Sequence, residues 1–200
     1  MEFYELYPNI KKYALEHKTP IIMEDSLEYI KTLIKKEKVQ KILEIGTAIS
    51  YSALHFVSVG EDVLVDTIER NEVMIEEATK NIQEYDNKKQ ITLHKGDALE
   101  YPIEALGKDY DLLFIDAAKA QSQKFFLRYV PLLKENGIII TDNMNFHGVS
   151  IDDPNISRNL RNMLKKIQNY NEWLINHPDY ETHFVDLGDG LAITRRKKCS

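Results

Sequence analysis

The 200-residue sequence contains one cysteine, Cys199, next to its end. That count excludes a disulfide framework and a thiolate metal cluster. Glycine is scarce, at eight residues, and no GxGxxG or GxxxxGK[ST] string occurs. The dinucleotide fingerprint and the phosphate-cradling P-loop are therefore both missing. No apolar run approaches the roughly 20 residues that span a bilayer. The opening MEFYELY is acidic and amphipathic, unlike a signal peptide, so the expectation is a cytoplasmic protein with no membrane partner. Strong net positive charge is also lacking. A formal charge of −6 argues against whole-surface attraction to nucleic acid and leaves room for a local basic patch.

What is present is 43% hydrophobic and 29% charged, ordinary for a soluble globular chain. The stretch Lys41 to Ser52, KILEIGTAISYS, anchors the reading. Lys41 to Ile45 is a short apolar run with β-branched residues, which predicts a buried strand. Gly46 breaks it, and Thr47 to Ser52 opens a helix reaching about Val57. A strand, a glycine turn and a helix N-terminus turn backbone N–H groups toward a ligand. Glu44, just before the strand's end, sets a carboxylate where it could face a cation.

Helices are predicted over Glu2–Glu16, Glu24–Lys36, Asn71–Tyr85 (with Asn71 as cap), Ala120–Val130 and Asn155–Ile175. Strands are predicted at Asp62–Ile68, Gln90–Leu93, Tyr110–Ile115, Gly137–Thr141, Tyr180–Asp186 and Leu191–Arg195, the last two joined through Gly188-Asp189-Gly190. Strand and helix alternate from Lys41 to Thr141. The pattern predicts an α/β fold: a doubly wound, mostly parallel sheet with helices on both faces and an antiparallel edge from the closing pair. No linker, repeat or low-complexity segment interrupts it. One domain over 1–200 is expected, with N-terminal helices in 1–40, a core in 41–195 and a basic tail in 196–200.

The acids cluster at one place in this pattern. Glu44, Glu69, Asp97, Asp116 and Asp142 each fall at or just beyond the C-terminal end of a predicted parallel strand. That edge is where open α/β sheets bind ligands. Glu69, at the tip of the second strand, suits the two hydroxyls of a ribose. Asp116, Asp142 and Asn143 offer three oxygens for a hard cation, Mg²⁺, Mn²⁺ or Ca²⁺. No His or Cys joins them, which disfavours zinc. Lys119, one helical turn beyond Asp116, is placed to act as a base or to hold an anion.

LEIGTAISYSA (43–53), IER (68–70), GDA (96–98), LLFIDAAK (112–119), IIITDN (138–143) and GDGLAI (188–193) occur in this order. Together they resemble the metal-dependent class I S-adenosylmethionine O-methyltransferases of the catechol and caffeoyl-CoA type, over about Pro20 to Thr194. Within that family the chain most resembles the small bacterial branch that methylates 5-hydroxyuridine at the tRNA wobble position. The resemblance implies a Rossmann-like seven-stranded sheet whose last strand is antiparallel, and a homodimer. It implies that Glu44 and Gly46 shape the site for the amino-acid end of S-adenosylmethionine, and that Ser52 binds its carboxylate. Glu69 would hold the ribose, Asp97 and Ala98 the adenine, and Met23 would line the cofactor's substrate side. Asp116, Asp142 and Asn143 match the metal ligands, Asp116 lying next to the cofactor, and Lys119 matches the catalytic lysine. Ser50 stands where relatives commonly have glycine, which implies a shifted loop or altered cofactor affinity.

For a tRNA acceptor, basic residues are available at Lys31, Lys35, Lys36, Lys38 and Lys41, at Arg158, Arg161, Lys165 and Lys166, and from Arg195 to Lys198. Phe146, His147 and Tyr170 are candidates to stack on a flipped-out base, and Asn145–Asp153 to form the pocket rim. The alternative acceptor is a small catechol or phenol. A nicotinamide oxidoreductase lacks its glycine fingerprint, and a non-catalytic nucleotide-binding module leaves Asp116, Lys119, Asp142 and Asn143 unexplained.

Overall fold

The computed structural model describes residues 5–145, 151, 153 and 155–198. Seven strands form a sheet in the order β3-β2-β1-β4-β5-β7-β6, six of them parallel. Chain contacts divide it into two compact units, residues 1–101 and 102–200.

In the first unit, α1 (Pro8–His17) and α2 (Glu24–Glu37) precede β1 (Lys41–Ile45). Helix α1 starts later than the apolar spacing predicts, because Pro8 occupies its first turn, where proline's missing N–H costs nothing; residues 1–4 lie outside the described ones. Strand β1 is buried from Ile42 to Ile45, as expected of a parallel strand covered on both faces. Then come α3 (Tyr51–Val57), β2 (Leu64–Glu69), α4 (Glu72–Tyr85) and β3 (Ile91–Lys95). Asn71 caps α4, its side chain accepting from the Val73 and Met74 N–H groups, which satisfies two donors the helix leaves open. Strands β1, β2 and β3 pair in parallel, Glu44 opposite Thr67 and Glu69 opposite Lys95.

The second unit holds β4 (Tyr110–Ile115), α5 (Ser122–Tyr129), β5 (Leu133–Asp142), α6 (Arg158–Ile175), β6 (Tyr180–Val185) and β7 (Leu191–Arg196). Helix α5 is shorter than predicted, since 3₁₀ turns at 119–121 and 130–132 take up its ends. Strands β4 and β5 are parallel. Strand β7 runs antiparallel between β5 and the outermost β6. Helix α6 is held by an aromatic cluster in which Phe126, Trp173, His177 and Tyr180 meet edge to face at 4.7 to 5.2 Å between ring centres. Such pairs add to plain area burial, so α6 is a fixed wall of this unit.

Candidate active site

In the first unit the site begins with a carboxylate that does not face outward. Glu44 is fully buried, and its two oxygens accept from the Ser52 and Thr67 hydroxyls. A bond of 2.6 Å between the Thr47 and Thr67 hydroxyls extends the chain. This corrects the reading of Glu44 as an acid facing a cation: a buried carboxylate has to be satisfied internally, and here β2 and α3 supply the hydroxyls. Ser52, read as a partner for the cofactor's carboxylate, has its hydroxyl on Glu44.

Gly46 takes φ 101° and donates its N–H to the Ile68 carbonyl, closing the turn that only glycine enters without strain. Ala48 and Ser50 follow at φ 45° and 68°. Ser50 thus adopts the left-handed conformation despite its side chain, and it is fully buried with a hydroxyl that has no hydrogen-bond partner. Its side chain thus brings backbone strain and an unsatisfied polar atom to this turn. Ser50→Gly should therefore stabilise the fold by about 1 kcal/mol, raising the melting temperature by about 2–4 °C. A melting temperature at or below wild type would contradict this.

Glu69, at the end of β2, accepts three backbone N–H groups, from Ala48, Arg70 and Asn71, each at 2.9 Å. Its carboxylate is thereby fixed against both the glycine turn and the start of α4. Asp97 accepts from the Leu99 N–H and from Arg70 at 2.8 Å; both interactions hold its carboxyl below the usual range. The motif IER pointed to Glu69 for its position, but the ion pair from Arg70 was not anticipated. Ala98 is buried beside Asp97, and Met23, just before α2, is half exposed. Met23 borders a cavity between α1 and α2 that also reaches Tyr51.

In the second unit Asp116, Lys119, Asp142 and Asn143 come together. The Lys119 ammonium donates to Asp116 at 2.9 Å and the Asn143 side-chain amide donates to the same oxygen at 3.3 Å. Asp142, nearly buried at the end of β5, accepts the Asn143 N–H at 2.7 Å. Burial first, and then the Asp116 charge, push the Asp142 carboxyl up to about 7. Asn143 sits at φ 65°, a conformation asparagine tolerates better than most residues. Among the described residues no three His, Cys, Asp or Glu side chains cluster as a metal site, so a cation here would rest on two carboxylates and an amide. The residues fit one. Two acids crowd each other with only one lysine to balance them, the donors are hard, and an amide turned over presents oxygen in place of nitrogen.

The hairpin before β7 braces this cluster. The Met144 and Asn145 N–H groups donate to the Gly190 and Asp189 carbonyls. Gly190 sits at φ 84°, and a Cβ there would lie 2.8 Å from Asn145. The GDG string is thus required both by its turn and by what it touches. From the other side, the Asn171 amide holds the Met144 carbonyl, and the Arg161 guanidinium holds the carbonyls of Ile151 and Asp153. Arg161, counted above among residues free for RNA, is therefore occupied by the protein's own chain. Tyr170 is also removed from the acceptor list. It is 4% exposed, hydrogen-bonded to Thr141 and stacked on Trp173, so no base can stack on it. Phe146 and His147 lie outside the described residues, as does part of the Asn145–Asp153 rim.

A sequence model of the O-methyltransferase family matches residues 5–197. A caffeoyl-CoA O-methyltransferase-like protein of known structure from Staphylococcus aureus is 46% identical. That similarity covers 97% of this chain and 93% of the other, with a TM-score of 0.90. The caffeoyl-CoA O-methyltransferase of Medicago sativa is 25% identical over 182 residues, 87% of this chain and 74% of its own. An O-methyltransferase from Bacillus cereus, solved in complex with SAH, shares the fold at a TM-score of 0.83 and 22% identity, over 98% of this chain and 93% of the other. The strand-end acids and the motifs carrying them thus stand where a family-wide match runs through both units, and the chain belongs to the O-methyltransferase family.

Proposed function

We propose that this protein moves a methyl group from S-adenosylmethionine to the 5-hydroxyl of 5-hydroxyuridine at the tRNA wobble position, with both units acting as one catalytic domain. Methyl transfer from a sulfonium to an oxygen is an in-line displacement, so the main task is to hold two reactants aligned. In this reading Glu69 holds the ribose hydroxyls, Asp97 and Ala98 the adenine, and Gly46 and Ser52 the amino-acid end, while Met23 lines the cofactor's substrate side. Glu44 acts through Ser52 rather than by contact. This reading agrees with relatives solved with bound S-adenosylmethionine or its product, such as an O-methyltransferase from Streptomyces achromogenes and that from Bacillus cereus.

The observation that carries the reaction type is the cluster of Asp116, Lys119, Asp142 and Asn143. Asp116, Asp142 and Asn143 would hold Mg²⁺ or a similar cation, which stabilises an oxyanion at neutral pH. Lys119 takes or holds the hydroxyl proton. An acceptor with two adjacent oxygens suits such a site, and 5-hydroxyuridine has its 5-hydroxyl beside O4. A catechol has the same pair, so the cluster does not select between them.

Charge placement favours tRNA. Arg195 pairs with Ile138 while Leu191 pairs with Asp142, so the basic end of β7 lies four residues, roughly 13 Å at strand rise, from the metal ligands. An acceptor reaching both has to be large. Arg158, Lys165 and Lys166 on α6 are exposed as well. We further place the protein in the cytoplasm as a homodimer with its N-terminal helices as contacts.

The deciding assay sets hypomodified tRNA against a simple catechol, with S-adenosylmethionine and Mg²⁺ supplied. Transfer to tRNA, with binding that weakens steeply as salt rises, is expected. Efficient methylation of the catechol with tRNA left untouched would replace this reading with the small-phenol one, which the caffeoyl-CoA names among the relatives favour.

A further inference from the structure

In the first unit a run of hydrogen bonds leads from the sheet to the loop after β3. Ile68 lies opposite His94 and Asp66 opposite Thr92, so Asp66 and His94 are diagonal neighbours on one face of the sheet. The Asp66 carboxylate is 2.7 Å from His94 Nε2, and His94 Nδ1 is 3.0 Å from the Tyr101 hydroxyl. The His94 and Asp66 side chains are only 12% and 20% exposed. An ionised carboxylate only accepts, so Nε2–H donates to Asp66 and fixes the ring. A phenol both donates and accepts, so the bond to Tyr101 holds in either form of the imidazole.

Tyr101 closes the turn that carries Asp97 and Ala98. Its N–H donates to the Asp97 carbonyl at 2.7 Å, beside the Glu100 N–H at 2.9 Å. Its ring lies against Gly96, where a Cβ would come within 3.1 Å of it. Gly96 in turn donates its N–H to the Glu69 carbonyl at 2.8 Å. The turn is thus tied at both ends, to β2 through Gly96 and to β3 through Tyr101 and His94. Neither cofactor contact nor proton transfer draws on Asp66, His94 or Tyr101. Three apolar residues would fill the same space, but linked hydrogen bonds set a direction that apolar packing leaves free.

We propose that Asp66, His94 and Tyr101 are positioning residues for the adenine of S-adenosylmethionine, holding the 96–101 turn so that Asp97 meets the exocyclic amine of the base. This rests on the assignment of Asp97 and Ala98 to the adenine and carries it on to what selects an aminopurine over an oxopurine. Asp97 accepts from the Leu99 N–H through one oxygen and from Arg70 through the other. A carboxylate has about four acceptor positions, so capacity remains for an N–H of the base. An amine donates to that carboxylate, whereas a carbonyl in the same place meets it with like partial charge. The discrimination is only as sharp as the turn is fixed.

Calorimetric titration of the full chain with S-adenosylhomocysteine and with S-inosylhomocysteine, whose base has a carbonyl in place of the amine, tests it. The wild-type chain should favour the adenosyl ligand about tenfold or more, the scale of a hydrogen bond to a charged group. Tyr101→Phe keeps the ring against Gly96 and removes only the hydroxyl. It should weaken S-adenosylhomocysteine about three- to tenfold and S-inosylhomocysteine by less than about twofold, so the preference shrinks. His94→Ala should do the same, and adding Tyr101→Phe to it should cost nothing more, because the two act through one bond. If His94→Ala fails to fold, Tyr101→Phe decides alone. A wild type without preference, an affinity for S-adenosylhomocysteine unchanged in Tyr101→Phe, or an equal loss for both ligands would overturn the proposal and leave the cofactor site standing. No binding of S-adenosylhomocysteine by the wild-type chain would remove the cofactor assignment itself, and this inference with it.

Discussion

Asp142→Ala should lower methyl-transfer turnover by about 10³-fold or more, the scale on which a charge-stabilising group in an active site acts. The fold should survive the change. Asp142 is nearly buried and crowded by Asp116, and its carboxyl is pushed up to about 7. Removing it relieves that repulsion at the cost of the acceptor for the Asn143 N–H, so the melting temperature should stay close to that of the wild type. Chelation of divalent cations should reproduce the loss in the wild-type enzyme, and adding Mg²⁺ back should restore it only there. Full turnover in metal-free buffer would remove the cation from the proposal and leave Asp142 with an electrostatic role alone.

Lys119→Ala should cost about 10²- to 10⁴-fold in the chemical step, the range for a positioned proton-transfer group. Lys119 touches Asp116 in the second unit, whereas the groups proposed for the cofactor are almost all in the first. Affinity for S-adenosylmethionine should therefore stay within about threefold of wild type. The pH profile of single-turnover rates separates two roles for this lysine. A base shows a titration that the alanine variant loses. A lysine that merely pairs with Asp116 leaves the profile unmoved, and the base assignment would then fall.

Much of this was legible in the residues because period and punctuation report directly on backbone. KILEI announced a strand covered on both faces, Asn71 a cap, and the GDG string a turn. The strand-end acids followed from those elements, since topology fixes which end of a parallel strand binds ligands. Partners were less legible. Glu44 looked like a ligand-facing acid because register is invisible in one chain; only the pairing of Glu44 with Thr67 shows that a hydroxyl waits beside it. Tyr170 looked free because a tyrosine on a helix with a polar outer face does not declare which side it takes. Arg161 looked like an RNA contact because a guanidinium's preference for nearby carbonyls cannot be read without the loop. The link from Asp66 through His94 to Tyr101 left no sequence signal: the first two stand on different strands, and only the pairing of β2 with β3 brings them together.

The grip of Arg161 on the carbonyls of Ile151 and Asp153 has an evolutionary consequence. It fastens the chain at Ile151 and Asp153, through their main-chain carbonyls alone, to a helix that is itself locked by the Trp173 aromatics. The side chains at those two positions can be exchanged without loosening the tether. A lineage could drift from one hydroxylated acceptor to another by editing a few loop positions while inheriting the catalytic apparatus unchanged.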